Sequence, residues 1–168
     1  MFDKYGEFDS VEELNLAAEG FASEGDMESL RGLARENGID EEEAEDYMAG
    51  EKEDFVTPYE AAIGRLKVQE GDAPQVLLTI CAGLCADRED LCHAVMKKGR
   101  RVREAFEALK SSARKEARAR INRGETMASV CETDREKETL IIGYFLHSGE
   151  EFDRELEAMI KGGVYESV

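Results

Sequence analysis

Tryptophan is absent from this chain, proline and histidine occur twice each, and aromatic residues make up 7% of 168 positions. Each scarcity excludes something. The two histidines, His93 and His147, lie in no metalloprotease or nucleophile motif. Phosphate-loop and dinucleotide-binding glycine patterns are missing, and no Ser or Cys stands in a nucleophile-elbow setting. The many carboxylates fall on expected helix caps and polar faces, where nothing separates their pKa values for acid–base work. An enzyme is therefore not expected, and no cofactor is implied. The longest apolar run, Val76 to Ala86, is too short to span a bilayer, and the opening Met1-Phe-Asp-Lys-Tyr-Gly-Glu7 lacks the layout of a signal peptide. This predicts a cytoplasmic protein without a membrane partner, whose four cysteines stay reduced.

What remains is apolar enough for a core, at 42% hydrophobic residues, and heavily charged, at 36%. The abundance of Ala, Glu, Leu, Lys and Arg favours helix. Charge is unevenly placed: the whole chain carries −17, yet Lys97 to Arg123 holds eleven basic residues against three acidic ones. That segment is net +8 and leaves −25 for the rest, which creates strong fields of both signs and favours a charged partner.

Capping signals divide the chain into helices. Asp9 or Ser10 starts the first, with Val11, Leu14, Ala18 and Phe21 on its apolar stripe and Gly25 at its end. Asp26 starts a second, burying Met27, Leu30, Leu33 and Ala34 and stopping at Asn37-Gly38. Asp40 starts a third, burying Ala44, Tyr47 and Met48 and stopping at Gly50. Its run Asp40 to Asp46 has six carboxylates in seven positions. That density usually marks a solvated face and less often mimics phosphate spacing.

Residues 1–50 thus read as an acidic three-helix N-terminal lobe, residues 51–56 as a linker, residues 57–163 as a helical core domain, and residues 164–168 as a frayed tail. In the core domain Thr57-Pro-Tyr-Glu60 is a strong start signal, with Tyr59, Ala62, Ile63 and Leu66 on the buried face. Val76 to Ala86 is apolar on most sides and reads as the central buried helix. Asp87 with Asp90 opens the next helix, which carries Leu91, Ala94 and Val95. Thr133 and Ser148 open the last two helices, separated from the basic segment by an ambiguous stretch from Glu125 to Cys131. The expected fold is all-α, a multi-helix bundle with a small N-terminal lobe and a long basic amphipathic helix.

In that basic helix Val102, Phe106, Leu109, Ala113, Ala117 and Ile121 form the expected packing stripe. The candidate residues for binding a partner or nucleic acid are Arg100, Arg101, Arg103, Lys110, Arg114, Lys115 and Arg118. A row of Arg and Lys suits phosphates, with arginine adding bidentate and stacking contacts. The alternative, equally open on these grounds, packs the row against an acidic surface of the same chain or of a second copy. Aromatic residues for base stacking are missing from the cationic face. The one group with the chemistry of a metal site is Cys81, Cys85, Cys92 and His93, but its spacing favours core packing.

The pattern Phe8-Asp-Ser-Val-Glu-Glu-Leu-Asn15, Glu24-Gly-Asp26, Ser29-Leu30, Leu33 to Asp40, Ala44-Glu-Asp-Tyr47 and Thr57-Pro58 resembles small acidic proteins of integrative and conjugative elements and phages of gut Firmicutes. Ala94-Val-Met-Lys-Lys-Gly99 and Ile141 to Leu146 look like further corresponding points. Some proteins of that class are anti-CRISPRs that inhibit Cas9. The resemblance implies a non-enzymatic inhibitor that binds a Cas nuclease or its guide-RNA complex and blocks DNA binding or cleavage. The matched positions are caps, turns and core residues, so they support a common scaffold more firmly than a common activity. Two other readings stand beside it: a nucleic-acid-binding accessory of conjugative transfer or maintenance that contacts DNA or RNA directly, and a homo-oligomeric scaffold.

Overall fold

A computed structural model describes residues 4–124 and 133–162. Among these residues the chain is all-α, with nine helices and no strand. They are α1 (Val11–Glu24), α2 (Met27–Glu36), α3 (Glu41–Ala49), α4 (Pro58–Lys67), α5 (Gln75–Asp87), α6 (Glu89–Met96), α7 (Val102–Arg123), α8 (Asp134–Leu146) and α9 (Gly149–Gly162). The stretch from Glu125 to Cys131 and the C-terminal tail lie outside the described residues. No described helix is long and apolar enough to cross a membrane.

Local capping chemistry sets most of these boundaries. Of the two overlapping start signals the Ser10 register is the one used: Ser10 caps α1 by accepting from the Glu13 amide, the Glu13 carboxylate reaches back to the Asp9 amide, and the Asp9 carboxylate accepts from the Lys98 amide instead of capping. Asp26 caps α2 through the Ser29 amide. Thr57 with Glu60, and Thr133 with Glu136, close complete capping boxes at α4 and α8. Asp40 departs from expectation: it makes no cap hydrogen bond, and its carboxylate pairs with Lys67 at 3.4 Å. Asp87 belongs to the end of α5, and Asp90 lies within α6, where it pairs with Arg88 at 2.7 Å.

The chain forms two compact units. The first comprises, among the described residues, 4–70 and 82–100, so α4, α6 and the second half of α5 belong with the three N-terminal helices. This redraws the expected boundary at residues 51–56. Phe55 and Val56 are buried in the core shared by Val11, Leu14, Leu30, Leu33, Ala44 and Met96. The Asn15 side chain grips Val56 from both sides, donating to its carbonyl and accepting from its amide, each at 3.0 Å. Burying a side chain such as Phe55 contributes on the order of 1.5–3 kcal/mol, which holds this segment in the core.

Arg65 is the most unusual member of that core, 2% exposed on α4. It pairs with Glu7 at 2.7 Å and donates to the carbonyls of Phe8 (2.7 Å) and Met96 (3.4 Å). One side chain thereby ties the segment before α1 to α4 and α6. Nearby, Gly38 (φ +67) and Gly64 meet backbone to backbone: a Cβ on Gly38 would lie 2.4 Å from the Gly64 carbonyl oxygen. The expected buried face of α4 is rotated accordingly. Ala61, Ala62, Arg65 and Leu66 are inside, and Tyr59 is 45% exposed.

The second unit comprises, among the described residues, 71–81, 101–124 and 133–162. Here α7, α8 and α9 pack against one another. Its buried residues include Val102, Ala105 and Leu109 of α7, Leu140, Ile141, Tyr144 and Phe145 of α8, and Phe152, Leu156 and Ile160 of α9. The Tyr144 ring meets Phe145 and Phe152 edge-on at 4.9 and 5.8 Å, and its hydroxyl donates to Glu104. The expectation that α5 is buried on most sides is corrected. Leu77, Leu78, Cys81 and Cys85 are inside, whereas Thr79, Gly83 and Ala86 are exposed and Val76 is half-exposed.

Candidate functional site

Helix α7 is a 22-residue helix capped by Gly124 in the left-handed region (φ 77). Its sequence puts Glu104 in the first turn and Arg120 and Arg123 in the last, which suits the helix dipole at both ends. The packed stripe differs from the sequence expectation at its C-terminal end. Arg120 is 6% exposed and Ile121 is 62% exposed, while Phe106, Ala113 and Ala117 are half-buried. The guanidinium of Arg120 is accommodated because Glu116 accepts from its Nε at 3.0 Å and the Ile160 carbonyl from its Nη2 at 3.5 Å. Arg123 reaches the same Glu116 oxygen at 3.2 Å. Hydrogen bonds from Arg120 and Arg123 hold the Glu116 carboxyl below its ordinary range.

The seven candidate binding residues separate into two sets. Arg100 and Arg101 are half-buried, and both have partners. Lys110 pairs with Glu107 at 2.8 Å and lies 5.1 Å from the centre of the Phe106 ring. That contact lowers the Glu107 carboxyl, with Arg103 and Arg114 adding to it. Arg103, Arg114, Lys115 and Arg118 are exposed and make no ion pair among the described residues of their unit.

At about 100° per residue, Arg103, Lys110, Arg114 and Arg118 fall within roughly 80° of one another, nearly opposite Ala105, Leu109 and Arg120. The row runs for about 22 Å along the helix. Chemically it offers fork-shaped donors to phosphate or carboxylate oxygens.

The acidic run of α3 is less free than its sequence suggests. Asp40 pairs with Lys67, Glu41 with Arg35 (2.8 Å), Glu43 with Lys52, and Glu45 with Arg31 (2.6 Å). Four of its six carboxylates are thus matched by cations of the first unit. Such exposed pairs contribute little stability, but they shrink the local negative field and leave the exposed Glu42 and the half-buried Asp46 outside these pairs.

Cys81, Cys85, Cys92 and His93 do not bring ligand atoms together among the described residues. The Cys92 thiol donates to the Cys85 carbonyl at 3.2 Å. It lies beside a groove of about 390 Å³ lined by Thr57, Tyr59 and Arg88. Burial, assisted by Cys85, pushes this thiol up to about 12, so it is protonated and a poor nucleophile at neutral pH.

A group that the sequence reading missed lies in the second unit. His147, Glu151 and Glu155 place one ligand atom each within 4.8 Å of the others. Their signal is the spacing of His147, Glu151 and Glu155 at successive fours, obscured because His147 lies outside α9, beyond its cap.

Compared with known protein families, curated proteins and solved structures, the chain matches none.

Proposed function

We propose that this chain is a non-enzymatic inhibitor of a Cas nuclease, with Cas9 the favoured target, and that it engages the guide-RNA-loaded effector through α7. The observation that carries the reading is the exposed row of Arg103, Arg114 and Arg118, with Lys115 beside it and the half-buried Lys110 in the same line. A cationic row opposite a packed face is suited to the phosphates of a protein–nucleic-acid assembly. The pairing of Asp40, Glu41, Glu43 and Glu45 within the first unit shifts the emphasis from the acidic lobe to this helix. The choice of a Cas effector rests on the resemblance to mobile-element proteins described above. Inhibition on this route is by occupancy: the bound chain blocks DNA loading or cleavage.

The test is cleavage of target DNA by purified Cas9 and guide with the protein in excess. Loss of cleavage is expected, with co-purification of the effector from cells expressing both; full cleavage at excess protein sinks the Cas9 version.

The same row favours one further reading, direct binding to free DNA or RNA as an accessory of element transfer. There affinity falls linearly with salt on logarithmic axes, with a slope set by the phosphates neutralised. A gel shift on naked duplex and single strand separates the two, since an inhibitor that needs the effector leaves free nucleic acid unshifted.

A further inference from the structure

The junction between α8 and α9 gathers a set of ligand groups that the basic helix does not use. His147 ends α8 in an extended conformation (φ −94, ψ 162), with its amide donating to the Gly143 carbonyl at 3.2 Å. Ser148 then caps α9, accepting from the Glu151 amide at its hydroxyl (3.3 Å) and from the Phe152 amide at its carbonyl (2.8 Å). This tight turn sets the imidazole beside the first turns of α9. Glu151 and Glu155, four residues apart, present their carboxylates on one face. We propose that His147, Glu151 and Glu155 bind a first-row divalent transition ion, for which zinc is the appropriate probe.

The distances fit such an ion. His147 Nδ1 and Glu155 Oε2 are 2.8 Å apart, and the three ligand atoms lie within 4.8 Å of one another. Zinc bonds nitrogen and oxygen at about 2.0–2.2 Å, which puts neighbouring donors roughly 3–3.5 Å apart. A small rotation of the exposed Glu151 side chain closes the set, and the ion takes the place of the hydrogen bond between Nδ1 and Oε2.

Helix α8 is shaped around the same carboxylate. A Cβ on Gly143 would lie 2.6 Å from Glu155 Oε2, so the absence of a side chain there leaves room for the ligand oxygen. The charge balance points the same way. Like charges at this spacing on a helix repel, and a cation between them converts that repulsion to attraction. The negative pole at the C-terminal end of α8 offsets the positive pole at the N-terminal end of α9, which leaves the two carboxylates to set the charge of the site.

The donor set also selects the ion class. Calcium and magnesium prefer all-oxygen shells, whereas one imidazole with two carboxylates suits zinc and its first-row neighbours. Three protein ligands leave a coordination position for water or for a donor from a partner.

The full-length protein, stripped with chelator, is titrated with Co2+ and then competed with Zn2+. One equivalent of Co2+ is expected, giving weak visible bands without the intense near-ultraviolet charge transfer of thiolate ligation, and Zn2+ should raise the thermal midpoint. Glu151→Gln should weaken binding at least tenfold while keeping the helical circular dichroism, because Glu151 is exposed. The pair His147→Gln with Glu155→Gln should abolish uptake. A thiolate band, no saturable uptake, or unchanged affinity in Glu151→Gln overturns the proposal.

Discussion

Arg65 concentrates more of the first unit's organisation than any apolar side chain. Its guanidinium is almost fully removed from water, and its partners come from two distant places in the chain, Glu7 and Phe8 before α1 and Met96 at the end of α6. Arg65→Met would leave the half-buried Glu7 carboxylate and two carbonyls to find new partners, and breaking a buried pair from one side costs about 3–5 kcal/mol. Urea unfolding should therefore move to markedly lower denaturant, and an unchanged midpoint would mean that the ion pair offsets little more than its own desolvation. Gly64 is fixed by geometry instead. Gly64→Ala places a Cβ 2.4 Å from the Asn37 carbonyl oxygen, and no flexible side chain is available to yield. Cys92 supplies a pH test. Its folded pKa, about 12, lies above the ordinary thiol value of 9, so its contribution to stability is complete below pH 9 and is lost as pH rises toward 12. Iodoacetamide should accordingly modify Cys92 far more slowly in the native protein at pH 8 than in urea, as read by mass spectrometry of its peptide.

At the scale of the helix, α7 separates what neighbours in sequence decide from what neighbours in space decide. Arg120 and Ile121 adjoin, yet the charged residue is inside and the apolar one outside. Arg120→Ala should cost about 1.5–3 kcal/mol, the range for hydrogen bonds to charged groups, whereas Ile121→Gln should move stability by no more than about 0.5 kcal/mol. Thermal melts of the two variants check this, and the reverse order would restore the stripe that spacing alone suggests. The same division explains what was legible. Caps at Ser10, Asp26, Thr57 and Thr133 depend on residues three positions apart, so the sequence states them directly. Helix type follows from composition and period, and the all-α architecture with it. The side of a helix that is buried depends on its partner: α4 turns Tyr59 outward because Arg65 must face Glu7, and α5 leaves Val76 half in solvent. Segment 51–56 looks polar and linker-like until Asn15, forty-one residues away, clamps Val56. The group at His147 was hidden for the same reason, because a turn and not a helix brings its imidazole to Glu155.

For the whole molecule the question is how a chain of net charge −17 uses a segment of +8. Two answers were open in the sequence: the cations neutralise the chain's own acids, or they are held for a partner. The first holds for part of the segment. Lys110, Arg120 and Arg123 pair with Glu107 and Glu116 of the same helix, while Arg103, Arg114 and Arg118 remain exposed along one face. The last three are therefore the charges to reverse. Changing Arg103, Arg114 and Arg118 to Glu takes the whole-chain charge from −17 to −23. Helix content should hardly change, because Arg and Glu have similar helix propensity and exposed substitutions shift stability by only about half a kcal/mol each. Binding to a phosphate-rich partner should collapse, since three charges invert within a Debye length, about 8 Å at physiological salt. If the row instead stabilises the chain through its own acids, the melting temperature falls strongly and lost activity follows from unfolding. Circular dichroism melts and the Cas9 cleavage assay on the same variant distinguish these outcomes. Retained inhibition with a retained fold would remove α7 from the interface and move the search to the rest of the surface.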